Sequence, residues 1–139
     1  MTVIADTGAL FALYDQDDTY HHTVLEIIKI TKTIIVPDAI LVEVDYLLNK
    51  FLDVKAEVDF LESIIDGTYT LYRLDNQDFT RCQELLLKYH DLDLGLADVS
   101  VMATAERLGI YNILTVDERD FRAVHLKKPL TILPADKVN

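Results

Sequence analysis

Twice in this chain a short apolar, largely β-branched run stops at an aspartate and gives way to a helical pattern. Thr2 to Ala5 ends in Asp6, Thr7 and Gly8 ahead of Ala9 to Tyr14, and Ile110 to Val116 ends at Asp117 ahead of Glu118 to Val124. Strands that are apolar throughout, rather than alternating, are buried on both faces and belong to parallel sheets. Parallel strands need crossovers of helical length, so the chain between these two runs must be mostly helix packed on the sheet. Asp6 and Asp117 then project from the same carboxyl edge, which is where open α/β sheets bind ligands. The plainer reading is that each aspartate caps the helix that follows, and at a strand-to-helix turn that role is nearly as common.

The intervening sequence supplies those crossovers. Asp17 to Lys32 reads as a helix, Thr33 to Val36 as a strand, and Pro37-Asp38 opens a helix over Ala39 to Phe51 with Ile40, Leu41, Val44, Leu47, Leu48 and Phe51 inward. Val54 to Asp66 is a further amphipathic helix, with Val58, Leu61, Ile64 and Ile65 inward and Gly67 as its stop. Tyr69 to Leu74 alternates as a strand, Asp75 to His90 is a long helix with Phe79, Cys82, Leu85, Leu86 and Tyr89 on one side, and Leu130 to Leu133, between Pro129 and Pro134, is a last edge strand. His21 and His22 are adjacent, do not share a helix face, and read as surface residues rather than joint metal ligands. The order βαα-βαα-βαα-βα-β predicts an α/β three-layer sandwich, its central, mainly parallel sheet flanked by helices, as a single domain over residues 1–139.

The helix before the last aspartate holds a third acid in an unexpected place. On a helical wheel Asp98 shares a narrow apolar sector with Val101, Met102 and Ala105, while Ser100, Thr104 and Arg107 fall opposite. An ionised carboxylate in an apolar stripe needs a positive partner, unless it merely meets the free N–H groups of the helix's first turn. In the helix after Pro37, Glu43 and Asp45 lie on opposite flanks of the apolar stripe, and the pattern does not choose between them.

Composition narrows the chemistry. Half of the 139 residues are hydrophobic, enough for one real core. No apolar run approaches bilayer length, and MTVIADTGALF has neither the basic head nor the cleavage site of a signal peptide, so a cytoplasmic protein is expected. A lone cysteine, Cys82, can form no internal disulfide. The net charge of −11 argues against a simple nucleic-acid clamp. It leaves open an enzyme that meets phosphates through bound divalent cations. The local exception is basic: Arg119, Arg122, Lys127 and Lys128 follow Asp117, diluted by Glu118 and Asp120.

Taken together, Asp6-Thr7-Gly8-Ala9-Leu10, the Asp18-x-x-His21 pair, Pro37 to Leu48 with Glu43 inside, Leu94 to Gly109 with Asp98, and Leu114-Thr115-Val116-Asp117 followed by Asp120-Phe121 resemble a PIN domain of the VapC-type toxins. The resemblance runs over nearly the whole chain, and its strength lies in five weak pieces in the right order. It implies an acidic site of Asp6, Glu43, Asp98 and Asp117, selecting Glu43 over Asp45. Asp120 is a second-tier acid, and Thr7 and Thr115 are hydroxyls that orient carboxylates or water. Gly95 stands where members of the family often carry a hydroxyl residue. The implied activity is a Mg²⁺- or Mn²⁺-dependent endoribonuclease that cleaves RNA with cation-activated water, leaving a 5′-phosphate and a 3′-hydroxyl. The implied partners are RNA, met locally by Arg119 and Arg122, a second copy of the chain in a homodimer, and an antitoxin whose helix lies in an apolar groove.

The physics agrees: carboxylates within about 5 Å of one another repel by roughly 3 kcal/mol per pair at an effective dielectric of 20, which protonation or a cation must offset. Hard oxygen ligands without His or Cys select Mg²⁺ or Mn²⁺ over zinc. A different class of reading is a phosphoacceptor receiver-type domain, which also uses strand-end acids and Mg²⁺ but wants an acidic pair where Asp6 stands alone. A third is a PIN fold that binds RNA without cutting it. Asp-Thr-Gly also occurs in aspartic proteases, whose nearly all-β fold does not suit this helical periodicity.

Overall fold

Strand β1 (Thr2–Ala5) lies at the centre of a five-stranded, wholly parallel sheet in the order β3-β2-β1-β4-β5. Its neighbours are β2 (Thr33–Pro37) and β4 (Asn112–Leu114), and Ile4 is opposite both Ile35 and Ile113. The outer strands are β3 (Tyr69–Tyr72) and β5 (Thr131–Leu133). Val3, Ile4 and Ala5 are all fully buried, as an apolar strand covered by helices on both faces must be. The computed structural model describes residues 1–136.

Helices α1 (Thr7–Tyr14), α2 (His21–Lys29), α3 (Leu41–Phe51), α4 (Val54–Ile65), α5 (Asn76–Lys88), α6 (Leu96–Leu108) and α7 (Glu118–Ala123) make the crossovers. The expected order of strands and helices holds throughout. Boundaries differ where side chains settle them. The helix expected from Asp17 begins only at His21, because Asp18 folds the preceding turn by accepting from the Tyr20 and His21 amides. Helix α5 is fixed by a capping box: Asp75 accepts from the Asp78 amide at 3.0 Å and Asp78 from the Asp75 amide at 3.0 Å. The buried Asp78 carboxylate also accepts from the Tyr72 hydroxyl at 2.6 Å and from Arg107 at 3.3 Å, which ties the end of β3 to α5 and α6.

Several expectations about facing are corrected. Helix α6 is buried all round from Val99 to Ala105, so Ser100 and Thr104 do not form a solvent face. It is packed between the sheet and α5, and their hydroxyls are satisfied within the helix by donating to the Ala97 and Ser100 carbonyls, each at 2.7 Å. Helix α4 carries two apolar stripes at helical spacing, and the one inside is Ala56 and Phe60 with part of Ile64. Val54, Val58, Leu61 and Ile65 face solvent. Phe51 and Phe79 are likewise exposed, Phe51 with its ring centroid 6.0 Å from that of Phe11. His21 is not a free surface histidine: its Nδ1 lies 2.7 Å from the Ala12 carbonyl and joins α2 to α1. Among the described residues no helix is long and apolar enough to cross a membrane.

Candidate active site

Parallel strands deliver their carboxyl ends to one edge, and there Asp6, Glu43, Asp98 and Asp117 line a single cavity of about 240 Å³ together with Thr7, Gly8, Leu47 and Ala97. Asp6 leaves β1 with its amide bonded to the Leu114 carbonyl at 3.0 Å, so the two central strand ends are tied directly beneath the site. The plain capping role is real: its Oδ1 accepts from the Ala9 amide at 2.9 Å. The other oxygen accepts a short hydrogen bond from the buried Thr115 hydroxyl. That hydroxyl in turn meets the Asp117 carbonyl at 3.2 Å and the Asp117 amide at 3.1 Å, so one threonine fixes both strand-end acids. Gly8 is held to its size here, because a Cβ would come within 3.1 Å of Val116.

Burial pushes the Asp6 carboxyl up to about 7, and the charges of Asp98 and Asp117 push the same way against the hydrogen bonds from Thr115 and Ala9. Asp98 is raised to about 6, first by burial and then by the charge of Asp120, with smaller contributions from Asp117 and Glu43 and an opposing backbone hydrogen bond from Gly95. That bond is the helix-terminus contact foreseen as the plain reading of Asp98, and it coexists with a place in the cavity wall. Asp117 departs from its plain reading: it precedes α7 yet makes no side-chain cap, and its carboxylate is exposed at the mouth. Glu43 and Asp45 separate cleanly. Glu43 reaches the cavity, whereas Asp45 faces Glu57, whose hydrogen bond raises it above the usual carboxylate range.

Asp120 is half-buried one turn into α7, and its influence is felt at Asp98. The Thr7 hydroxyl is buried without a hydrogen-bond partner in the cavity wall. As they stand, no three His, Cys, Asp or Glu residues among the described residues form a ready-made ligand cage. What fits a hard cation is the donor set itself: carboxylate oxygens under mutual repulsion, an orphaned hydroxyl beside them and room for water.

The PIN domain family matches residues 3–126. The chain belongs to that family. This PIN domain is 30% identical over 123 residues to Ribonuclease VapC26 of Mycobacterium tuberculosis, covering 88% of this chain and 91% of the relative. Its fold is also that of Mycobacterium tuberculosis VapC20, described as a toxin that cleaves the sarcin–ricin loop, at a TM-score of 0.81 and 17% identity over 91% of this chain and 98% of the other. VapBC2 of Rickettsia felis, solved bound to a promoter DNA fragment, matches at a TM-score of 0.69 and 14% identity over 95% and 97%. A toxin–antitoxin complex from Klebsiella pneumoniae matches at 0.68 and 18% over 88% and 92%. The sheet order of this PIN domain also departs from the 2-1-3-4-5 order of receiver domains, which removes that alternative.

The basic cluster does not hold together as the sequence suggested. Arg122 is paired with Glu118 at 2.9 Å and Asp136 at 2.6 Å, which raises its already high pKa further. Lys127 lies with Arg81 and Arg107 around a separate hollow, its amide donating to Glu106. Arg119 differs: its side chain is 87% exposed and lies 3.9 Å from Asp120. Sequence reasoning missed what stands opposite Arg119, a groove of about 430 Å³ running from Asp117 to Tyr20. Tyr20 carried no pattern that would have marked it, because its role depends on the turn fixed by Asp18.

Proposed function

We propose that this PIN domain is a Mg²⁺- or Mn²⁺-dependent endoribonuclease and the toxin of a two-gene toxin–antitoxin pair. The observation that carries the proposal is the cavity at the sheet's carboxyl edge, where Asp6 and Asp98 are both raised by burial and by neighbouring acids while Asp117 remains exposed at the mouth. Such a cluster is under electrostatic stress, which a divalent cation relieves. Asp6, Glu43, Asp98 and Asp117 would hold the ion, which when bound supplies positive charge to phosphate oxygens and acidifies water.

The chain's own groups divide the remaining work. Thr115 holds Asp6 and the Asp117 backbone in one frame, so the two strand-end carboxyls cannot drift apart. The Asp117 carboxylate, free of capping duty, accepts a proton from attacking water or orients it. The buried, unpartnered Thr7 hydroxyl is a donor for a neighbouring carboxylate or a water held in the cavity. Asp120 acts on the site through its charge beside Asp98.

RNA as the substrate class is supported by the 30% identical ribonuclease and by the sarcin–ricin loop cleaving toxin of the same fold. An antitoxin is supported by the toxin–antitoxin complexes that share the fold. It is supported also by a hollow of about 640 Å³ beside the site, where the exposed Val42, Tyr46 and Leu96 border Glu43 and Asp98. That is an apolar groove suited to an amphipathic helix. A homodimer is supported by the outward apolar stripe of α4, Val54, Val58, Leu61 and Ile65, which faces solvent in the single chain.

The direct test is cleavage of single-stranded and structured RNA with Mg²⁺ or Mn²⁺. Activity is expected to stop with EDTA and to be abolished in Asp98→Asn, whose circular dichroism and melting remain those of a folded protein. Undiminished cleavage by Asp98→Asn refutes the site, and folded wild-type protein that binds RNA with metal but never cuts it leaves the RNA-binding reading in its place.

A further inference from the structure

We infer that the groove between Tyr20 and Arg119 is a nucleotide subsite, in which one unpaired base beside the scissile phosphate stacks on the Tyr20 ring while Arg119 meets the adjoining backbone phosphate. The inference rests on the ribonuclease reading for the reacting phosphate, and on separate geometry for the base. The groove is continuous with the acidic cavity, because Asp117 lines both. A strand whose phosphate is held at Asp117 therefore runs into it within one nucleotide. Its volume of about 430 Å³ falls within the roughly 300–1,000 Å³ of small-molecule sites, room for a base and its ribose.

The lining has the composition a base requires. Tyr20, Val116 and Pro134 give it flat and apolar walls, and Arg119 is its only cationic side chain among the described residues. Stacking on an aromatic ring beside a cation is how single-stranded nucleic acid is held without base pairing. Thr23 adds an edge group: its hydroxyl donates to the Tyr20 carbonyl at 3.0 Å and retains lone pairs to accept from a base N–H. The ring is also held ready. The Tyr20 amide donates to Asp18 at 2.8 Å, the His21 amide donates to the Asp18 carbonyl at 3.1 Å, and the His21 ring lies 2.7 Å from the Ala12 carbonyl. A preset turn of this kind presents the ring with little ordering left to do on binding.

Charge completes the argument. At −11 overall, the molecule repels a polyanion, so a phosphate near Asp117 and Glu118 needs a cation that is only loosely paired, as Arg119 is with Asp120 at 3.9 Å. Arg122 is spent on Glu118 and Asp136, whereas Arg119 projects into solvent at the groove's rim.

The probe is a pool of single-stranded octaribonucleotides randomised in sequence, digested with Mn²⁺, with the cut ends sequenced. Tyr20→Ala is expected to lower kcat/KM by roughly tenfold or more and to flatten the base preference at one nucleotide flanking the cut. Tyr20→Phe, which keeps the ring, restores the preference. Arg119→Ala weakens binding across all sequences alike and lowers the slope of log affinity against log salt by about one, with the base preference intact. Tyr20→Ala cutting with wild-type rate and preference overturns the subsite while leaving the nuclease standing. If wild-type protein cuts no RNA, the nuclease reading fails, and the subsite is judged by anisotropy of the same labelled pool on Asp98→Asn protein. Weaker binding on adding Tyr20→Ala then sustains it, and unchanged binding overturns it.

Discussion

Replacing Asp6 by asparagine should stabilise the cation-free protein, and do so increasingly as pH rises. The amide preserves the local bonding: its oxygen continues to accept from the Ala9 amide, while its nitrogen donates to Thr115, whose own proton turns to the Asp117 carbonyl already 3.2 Å away. What is lost is the ionisation. In the unfolded chain Asp6 titrates near 3.8, and in the fold burial holds it at about 7. Below about pH 4 both states carry the proton and the wild type incurs no penalty. Between about pH 4 and pH 7 the unfolded chain releases the proton while the folded one keeps it, so wild-type stability falls as pH rises; above about pH 7 both are ionised and the penalty is constant. At roughly 1.4 kcal/mol per pH unit between those two values, the penalty is about 4 kcal/mol at pH 8 and below about 2 kcal/mol at pH 5. Urea unfolding in EDTA at the two pH values measures the gap between variant and wild type, which should widen by about 2–3 kcal/mol, or roughly 10 °C in Tm for a chain of this length. Millimolar Mn²⁺ should then raise the wild-type melting temperature and leave Asp6→Asn nearly unmoved. A gap that stays flat from pH 5 to pH 8 would refute the reasoning, since the Asp6 carboxyl would then titrate alike in both states.

Two further outcomes follow from the packing and the charge. Asp78→Ala removes one half of the α5 capping box, the carboxylate that accepts from the Asp75 amide, and leaves the Tyr72 hydroxyl and part of Arg107 without a partner, so a loss of about 2–3 kcal/mol is expected in urea unfolding, with RNA cleavage retained. An antitoxin that places an Arg or Lys among Asp6, Glu43, Asp98 and Asp117 should bind more weakly in rising Mg²⁺ and in Asp98→Asn, but equally well to Arg119→Ala; calorimetric affinity indifferent to both Mg²⁺ and Asp98→Asn would exclude a cation mimic there.

The sheet was legible because its central strands are apolar throughout and end in acids, so the sequence alone assigns Asp6 and Asp117 to one edge. Glu43 was not legible from its own helix, where it and Asp45 flank the stripe symmetrically; the family resemblance selected it, and the neighbouring elements give the physical difference, the cavity for one and Glu57 for the other. Periodicity failed at α4 and α6 for opposite reasons. Helix α4 has two apolar stripes and buries one, while α6 is covered on both sides and turns its hydroxyls back onto its own carbonyls. The pairing within the basic run after Asp117 was not legible, because linear proximity says nothing of it and Asp136, which pairs with Arg122, lies beyond the run in sequence.

The bond between Thr115 and Asp6 joins residues separated by 109 positions, and β1 finds its second neighbour only when β4 exists. During synthesis the first strand can pair with β2 early, but the acidic cavity has no far wall until Asp117 has emerged. A chain released short of that point carries Asp6, Glu43 and Asp98 without the strand that brings the last acid to them. On the proposed nuclease reading, this late, long-range closure is expected to leave a nascent or truncated copy without activity until Asp117 has joined the other acids.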